Sequence, residues 1–141
     1  MCVRATGQLN FTGDVAGTMT LNSKSDCARR PPPDQDVFGL EFFGTGLTTD
    51  VDADKALSGK EWVLTVDGSA RSLDVVDAGL GPTSFGVSIY LSQAGSSTTR
   101  STVTMTHDMR SGSMNLLLKA QSVSRPGART KVTGTFTCAF P

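Results

Sequence analysis

The chain is poor in charge and in aromatic rings: Asp, Glu, Lys and Arg make up 18% of its 141 residues, and Phe, Trp and Tyr only 6%. Thirteen basic residues cancel thirteen acidic ones, and no basic run is longer than Arg29-Arg30. The electrostatic footprint of a nucleic-acid binder is therefore missing. Apolar runs stop far short of the roughly 18 residues that span a bilayer, and the first residues lack the basic and apolar segments of a signal peptide. His107 is the single histidine, which excludes multi-histidine zinc centres and leaves His107-Asp108 as an isolated pair at the end of a Thr-rich segment. A G-x-S-x-G nucleophile elbow is absent too, since Gly81-Pro82-Thr83-Ser84-Phe85-Gly86 has the wrong spacing. Nothing singles out a pair of carboxylates for glycoside hydrolysis. The expectation is a protein that is not an enzyme.

Ser, Thr and Gly, in contrast, make up roughly a third of the chain, a bias towards strands and turns. Apolar residues recur at period two, as in half-buried strands. Leu9 and Phe11 alternate across Gly13-Asp14 from Met19 and Leu21, which predicts a first hairpin. Phe38, Leu40 and Phe42 share a face, as do Trp62, Leu64 and Val66, and Leu73 and Val75 follow the turn dipeptide Asp67-Gly68. Phe85, Val87, Ile89 and Leu91 read as inward, with Ser88 and Tyr90 outward. Val103 with Met105, Met114 with Leu116 and Leu118, and Val132 with Phe136 and Cys138 complete the set. About eight to nine short strands without an amphipathic helix between them predict one all-β domain over residues 1–141, with residues 1–6 as a flexible tether. The favoured architecture is an antiparallel β-sandwich, with a closed β-barrel as the alternative, because both bury one face of each strand.

Several features have a plain structural reading beside a functional one. The T-x-T recurrences at Thr18/Thr20, Thr102/Thr104/Thr106 and Thr133/Thr135/Thr137 are candidates for an ordered ligand or ice-binding array, but Thr also suits any solvated strand face. Pro31-Pro32-Pro33 reads as a stiff connection between two sheets, or as a docking site for a proline-reading domain. Trp62 alternates with core residues, which leaves Tyr90 as the better candidate for an exposed sugar-stacking ring. Asn10-Phe11-Thr12 is a glycosylation sequon within a strand.

Three cysteines leave one unpaired in any disulfide scheme. Cys138 shares its face with Val132 and Phe136, so it points inward; if the last strand lies beside the first hairpin, Cys27 meets Cys138 and closes a loop of roughly 110 residues. A Cys2–Cys27 bridge, or three reduced thiols in a cytosolic or viral protein, are the alternatives. Cys2 near the start, the Gly7–Gly13 hairpin entry, Gly17-Thr18-Met19-Thr20 and the Val132–Cys138 ending together resemble small secreted bacterial lipoproteins. That resemblance implies an extracytoplasmic domain, secreted or lipid-anchored to the bacterial envelope through Cys2.

The segment from Asp50 to Glu61 places Asp50, Asp52, Asp54, Ser58 and Glu61 at the spacing of a calcium loop. Lys55 stands where such a loop needs Gly, and a strand rather than a helix follows. The competing expectation is a solvated loop with one or two helical turns ended by Gly59. Apart from that possible calcium, no cofactor is implied.

The leading functional expectation is a non-enzymatic envelope or secreted binding module for an unidentified protein or small-molecule ligand, touching membrane only through a lipid on Cys2. A virion or filament protein assembling through strand edges is the alternative, followed by a calcium-dependent carbohydrate-binding module.

Overall fold

In the computed structural model, which describes residues 2–33, 36–69, 77–92 and 101–141, the period-two pattern becomes eleven strands in one antiparallel sheet. They are β1 (Cys2–Gly13), β2 (Val15–Thr20), β3 (Asp26–Arg29), β4 (Val37–Gly44), β5 (Leu47–Thr49), β6 (Trp62–Ser69), β7 (Asp77–Pro82), β8 (Tyr90–Ser92), β9 (Thr102–Met105), β10 (Ser111–Ala120) and β11 (Arg129–Cys138). Eight of them form a ring in the order β1-β3-β4-β6-β7-β8-β10-β11, closed where β11 returns to β1 from Ala5↔Cys138 to Gly13↔Thr130. The architecture is thus the closed barrel, not the two-sheet sandwich. The reason is the pairing of the first and last strands, which removes the free edges that a sandwich would keep.

The three extra strands branch from this ring. β1 is long enough to pair twice on one side, with β3 through Cys2–Arg4 and with β2 through Gln8–Phe11. β5 extends β2, and β9 pairs with β10. Small buried hydroxyls satisfy the backbone where pairing changes hands. Ser25 Oγ donates to Phe43 O at 3.2 Å and accepts from Phe43 N at 2.9 Å. Thr130 Oγ1 donates to Val15 O at 2.7 Å.

One face of every ring strand fills the barrel. Phe38, Leu40 and Phe42 from β4, Trp62, Leu64 and Val66 from β6, Met114, Leu116 and Leu118 from β10, and Val132, Phe136 and Cys138 from β11 are all buried, as the alternation predicts. Phe42 and Phe136 pack with ring centroids 5.1 Å apart. Phe136 lies between Gly7 and Gly112 in register, and a Cβ on Gly112 would come within 2.6 Å of its Cζ. Gly134 has φ +150°, and a Cβ there would stand 2.6 Å from Gln8 O. The closing seam between β1 and β11 therefore needs glycine at this point.

Four expectations change. Residues 2–6 are not a tether: they are the first half of β1, held by β3 on one side and β11 on the other. Pro31-Pro32-Pro33 does not join two sheets but lies in the hairpin loop between neighbouring β3 and β4. The segment around Phe85 is inverted in phase. Thr83–Phe85 forms a turn of 3-10 helix that ends at Gly86 with φ +71°, so the chain leaves the sheet and returns only at Tyr90. Phe85, Val87 and Leu91 are exposed, whereas Tyr90, opposite the inward-facing Leu80 and Ala120, is fully buried. Tyr90 is therefore no surface platform. Leu73 and Val75 lie outside the described residues.

Candidate functional site

Among the described residues the barrel interior is packed with side chains. It is filled by Trp62, Tyr90, Phe42, Phe136 and the aliphatic side chains around them, all fully buried or nearly so. Within it Cys27 of β3 and Cys138 of β11 form a disulfide across the two neighbours of β1, at a sequence separation of 111. The bond is buried at both ends, while Cys2 is a free, exposed thiol. Such a bond persists in an oxidising, extracytoplasmic environment. No helix among the described residues is long and apolar enough to cross a membrane.

The acidic loop between β5 and β6 closes one end of the barrel. Its centre is a 3-10 turn, Lys55–Leu57, followed by Gly59 at φ +79°. The five proposed calcium ligands are not brought together. Asp54 is fully buried and accepts two hydrogen bonds of 2.6 Å from Arg125 in the β10–β11 loop, Nε to Oδ2 and Nη2 to Oδ1. Ser58 Oγ binds the backbone of Thr49. Glu61 turns to Asn22 and Lys24, and the Lys24 hydrogen bond holds its carboxyl below the usual range. Asp52 is fully exposed, 3.8 Å from Lys55 Nζ, and Asp50 is exposed. Among the described residues no three His, Cys, Asp or Glu side chains gather as metal ligands.

Beside the Asp54–Arg125 pair sits the buried Tyr90 hydroxyl, without a well-formed hydrogen bond among the described residues. Burial first, and then the negative charges of Asp54 and Asp14, push its ionisation up to about 12. His107 is exposed in the β9–β10 turn. Its neighbour Asp108 accepts from Thr106 Oγ1 at 2.7 Å, which keeps the Asp108 carboxyl below its ordinary range. The catalytic pairing that His107-Asp108 would need is not formed among the described residues.

The outer wall of β9, β10, β11, β1 and β2 is chemically uniform in a way the chain as a whole is not. Pairing registers align Thr104, Ser113, Thr135, Gln8 and Thr20 in one cross-strand row. The next row is Thr102, Asn115, Thr133, Asn10 and Thr18, and a shorter one is Ser111, Thr137 and Thr6. Every outward side chain in these rows is a hydroxyl or an amide. Neighbours bond sideways: Thr6 Oγ1 and Thr137 Oγ1 lie 2.6 Å apart, and Thr18 Oγ1 donates to Asn10 Oδ1 at 3.2 Å. A shallow depression of about 570 Å³ crosses the wall over the bare backbones of Gly7 and Gly112. Beyond Asn115 and Thr133 the next outward residues on β10 and β11 are Leu117 and Lys131, and after them Lys119 and Arg129.

The T-x-T spacing placed these threonines on outer faces, but not in register with one another. That information lies in the strand order. Scanned against protein-family models, curated proteins and solved structures, the chain has no match in any of the three.

Proposed function

We propose that this protein is a non-catalytic binding module of the bacterial envelope or secreted space, contacting its ligand through the outer wall of β9-β10-β11-β1-β2. The observation that carries the reading is the absence of charge over three registered rows of hydroxyl and amide side chains, in a chain where 18% of residues are charged. A solvated strand face needs only some polar residues, and Lys and Glu are the usual ones. A face of Thr, Ser, Asn and Gln instead offers a donor and an acceptor at nearly every position, about 5 Å apart across strands and about 7 Å along them. Such a lattice suits a ligand rich in hydroxyls. The interior, filled by buried side chains among the described residues, supports an external site.

In this reading Cys2 carries the lipid that tethers the domain. Its free thiol is exposed in the strand that also bears part of the wall, and the other two cysteines are consumed by the disulfide. The test is a glycan panel with the wild-type protein and Thr135→Lys, which puts a cation in the middle of the wall without touching the core. Retention of hydroxyl-rich glycans that Thr135→Lys abolishes is the expected result. A wild-type protein that binds no glycan and elutes as a regular high-order assembly overturns the reading in favour of a structural protein. For Cys2, mass measurement of protein recovered from an exporting bacterial host should show the acyl chains, and Cys2→Ser should release the domain from the membrane fraction.

A further inference from the structure

We propose that the wall's ligand is an acidic polysaccharide, bound with its carboxylates against Lys119, Arg129 and Lys131 and its hydroxyls along the uncharged rows. This deepens the reading of the wall as a binding surface and rests on it. The three cations lie close in sequence, on the two strands of one hairpin, and the β10–β11 register brings them together: Lys119 stands directly opposite Arg129, and Lys131, opposite Leu117, points to the same side. Like charges paired across two strands repel at about 5 Å, and an ordinary sheet relieves this with an acid nearby. Here no ion pair to any of the three forms among the described residues. Asp14 is an acid beside this cluster: it accepts the backbone N–H of Arg129 at 2.7 Å and makes no ion pair with the three side chains. Lys119, Arg129 and Lys131 line a groove of about 450 Å³ together with Thr12, Gly13 and Leu117, beside the end of the hydroxyl rows.

Concentrated positive charge in a protein of zero net charge complements a polyanion locally. The adjoining rows of hydroxyl and amide side chains, each both donor and acceptor, match the hydroxyls of a sugar polymer and favour it over a nucleic acid. The weakly charged surroundings also disfavour non-specific capture, because affinity must come from a few contacts at a fixed spacing.

The experiment measures binding of the full chain to four probes in low salt: a polyuronate oligosaccharide, neutral dextran, poly-L-glutamate and a single-stranded oligodeoxynucleotide. The expected order has the polyuronate tightest, with binding that weakens as sodium chloride is added. The triple substitution Lys119→Gln, Arg129→Gln and Lys131→Gln should weaken it by about tenfold or more. A control pair, Lys55→Gln with Lys60→Gln, should leave it unchanged. Poly-L-glutamate or the oligonucleotide binding as tightly as the polyuronate overturns the proposal, since charge alone would then suffice. Dextran binding as tightly as the polyuronate, insensitive to salt and to the triple substitution but lost in Thr135→Lys, overturns the acidic ligand while leaving the wall as the binding surface. No binding of any saccharide by the wild-type protein overturns both. The salt dependence of the wild type decides the matter even if the triple variant folds poorly.

Discussion

Asp54 and Arg125, 71 residues apart in sequence, meet in a two-point hydrogen-bonded ion pair that closes one end of the barrel. The Asp54 side chain has no solvent exposure and that of Arg125 has 11%, so neither charge is hydrated as in free solution. Removing one partner strands the other, at a cost of about 3–5 kcal/mol, whereas replacing both by apolar side chains is often neutral. Arg125→Met alone should therefore lower stability by that amount in urea unfolding, and Asp54→Leu with Arg125→Met should recover most of it. Equal losses in the single and double variants would mean that the pair contributes through packing alone.

The same pair removes the central ligand from the calcium spacing in the acidic loop. A site occupied at a hundred times its dissociation constant would add about 2.7 kcal/mol of stability. Millimolar calcium should leave the thermal midpoint where it is in calcium-free buffer. A rise of several degrees would show that the loop rearranges to free Asp54.

Tyr90 is the only tyrosine, so phenolate absorbance reports it alone. Its folded-state ionisation is raised to about 12 from the ordinary 10, with burial as the main cause. A group raised in the folded state contributes stability below the unfolded value and loses it as pH climbs through the folded one. Stability should therefore decline between about pH 10 and pH 12, and the native protein at pH 11 should show little phenolate where the urea-unfolded chain shows nearly all. A native titration midpoint at 10 would place the ring in water.

How far the fold was legible follows from what each element needs. Periodicity alone reports a strand buried on one side, which is why Phe38–Phe42, Trp62–Val66 and Met114–Leu118 fall where their alternation puts them. It carries no sign of which face turns inward when the run is interrupted. The 3-10 turn at Thr83–Phe85 resets the phase and buries Tyr90 instead of its neighbours. Periodicity did not choose between a sandwich and the barrel that stood as its alternative, because the two share their local pattern; the pairing of β1 with β11 decides for the barrel. The candidate site suffers from the same gap. Lys119 and Arg129 are unremarkable in sequence and become a cluster only through the register of β10 on β11. The Cys27–Cys138 bridge was reachable because it asked only that the last strand approach the first, and in the barrel the two are direct neighbours.

Gly134 lies on that closing seam. Its φ of +150° and the 2.6 Å approach of Gln8 O to any Cβ leave no room for a side chain on either count. Gly134→Ala should destabilise the protein by about 2–4 kcal/mol, well beyond the 1 kcal/mol typical of point substitutions. Gly127→Ala is the comparison: Gly127 also has positive φ, at +72°, but nothing lies within 4 Å of an added Cβ, so only the backbone penalty of about 1 kcal/mol applies. Equal losses at the two positions, read from urea midpoints, would mean that the seam yields to the added methyl group.

The disulfide links β3 and β11, the two strands that flank the first half of β1, and its removal frees a loop of 111 residues in the unfolded chain. Chain entropy assigns such a loop about 4–5 kcal/mol, and removal of native disulfides from small domains costs about 2–5 kcal/mol. Cys27 is 1% and Cys138 3% exposed, so a reductant should reach the bond only when the barrel opens. Unreduced protein should titrate one thiol, Cys2, both when native and after unfolding in urea. Adding dithiothreitol without denaturant should leave that count at one for as long as the barrel stays closed. In urea the reduced chain should unfold at a lower midpoint by the amount above, followed through the fluorescence of Trp62, the only tryptophan, as it leaves the core. Cys2→Ser keeps the measurement free of thiol exchange. Three thiols in unreduced protein titrated in urea, where Cys27 and Cys138 are accessible, would refute the bridge, and with it the physical ground for an oxidising compartment.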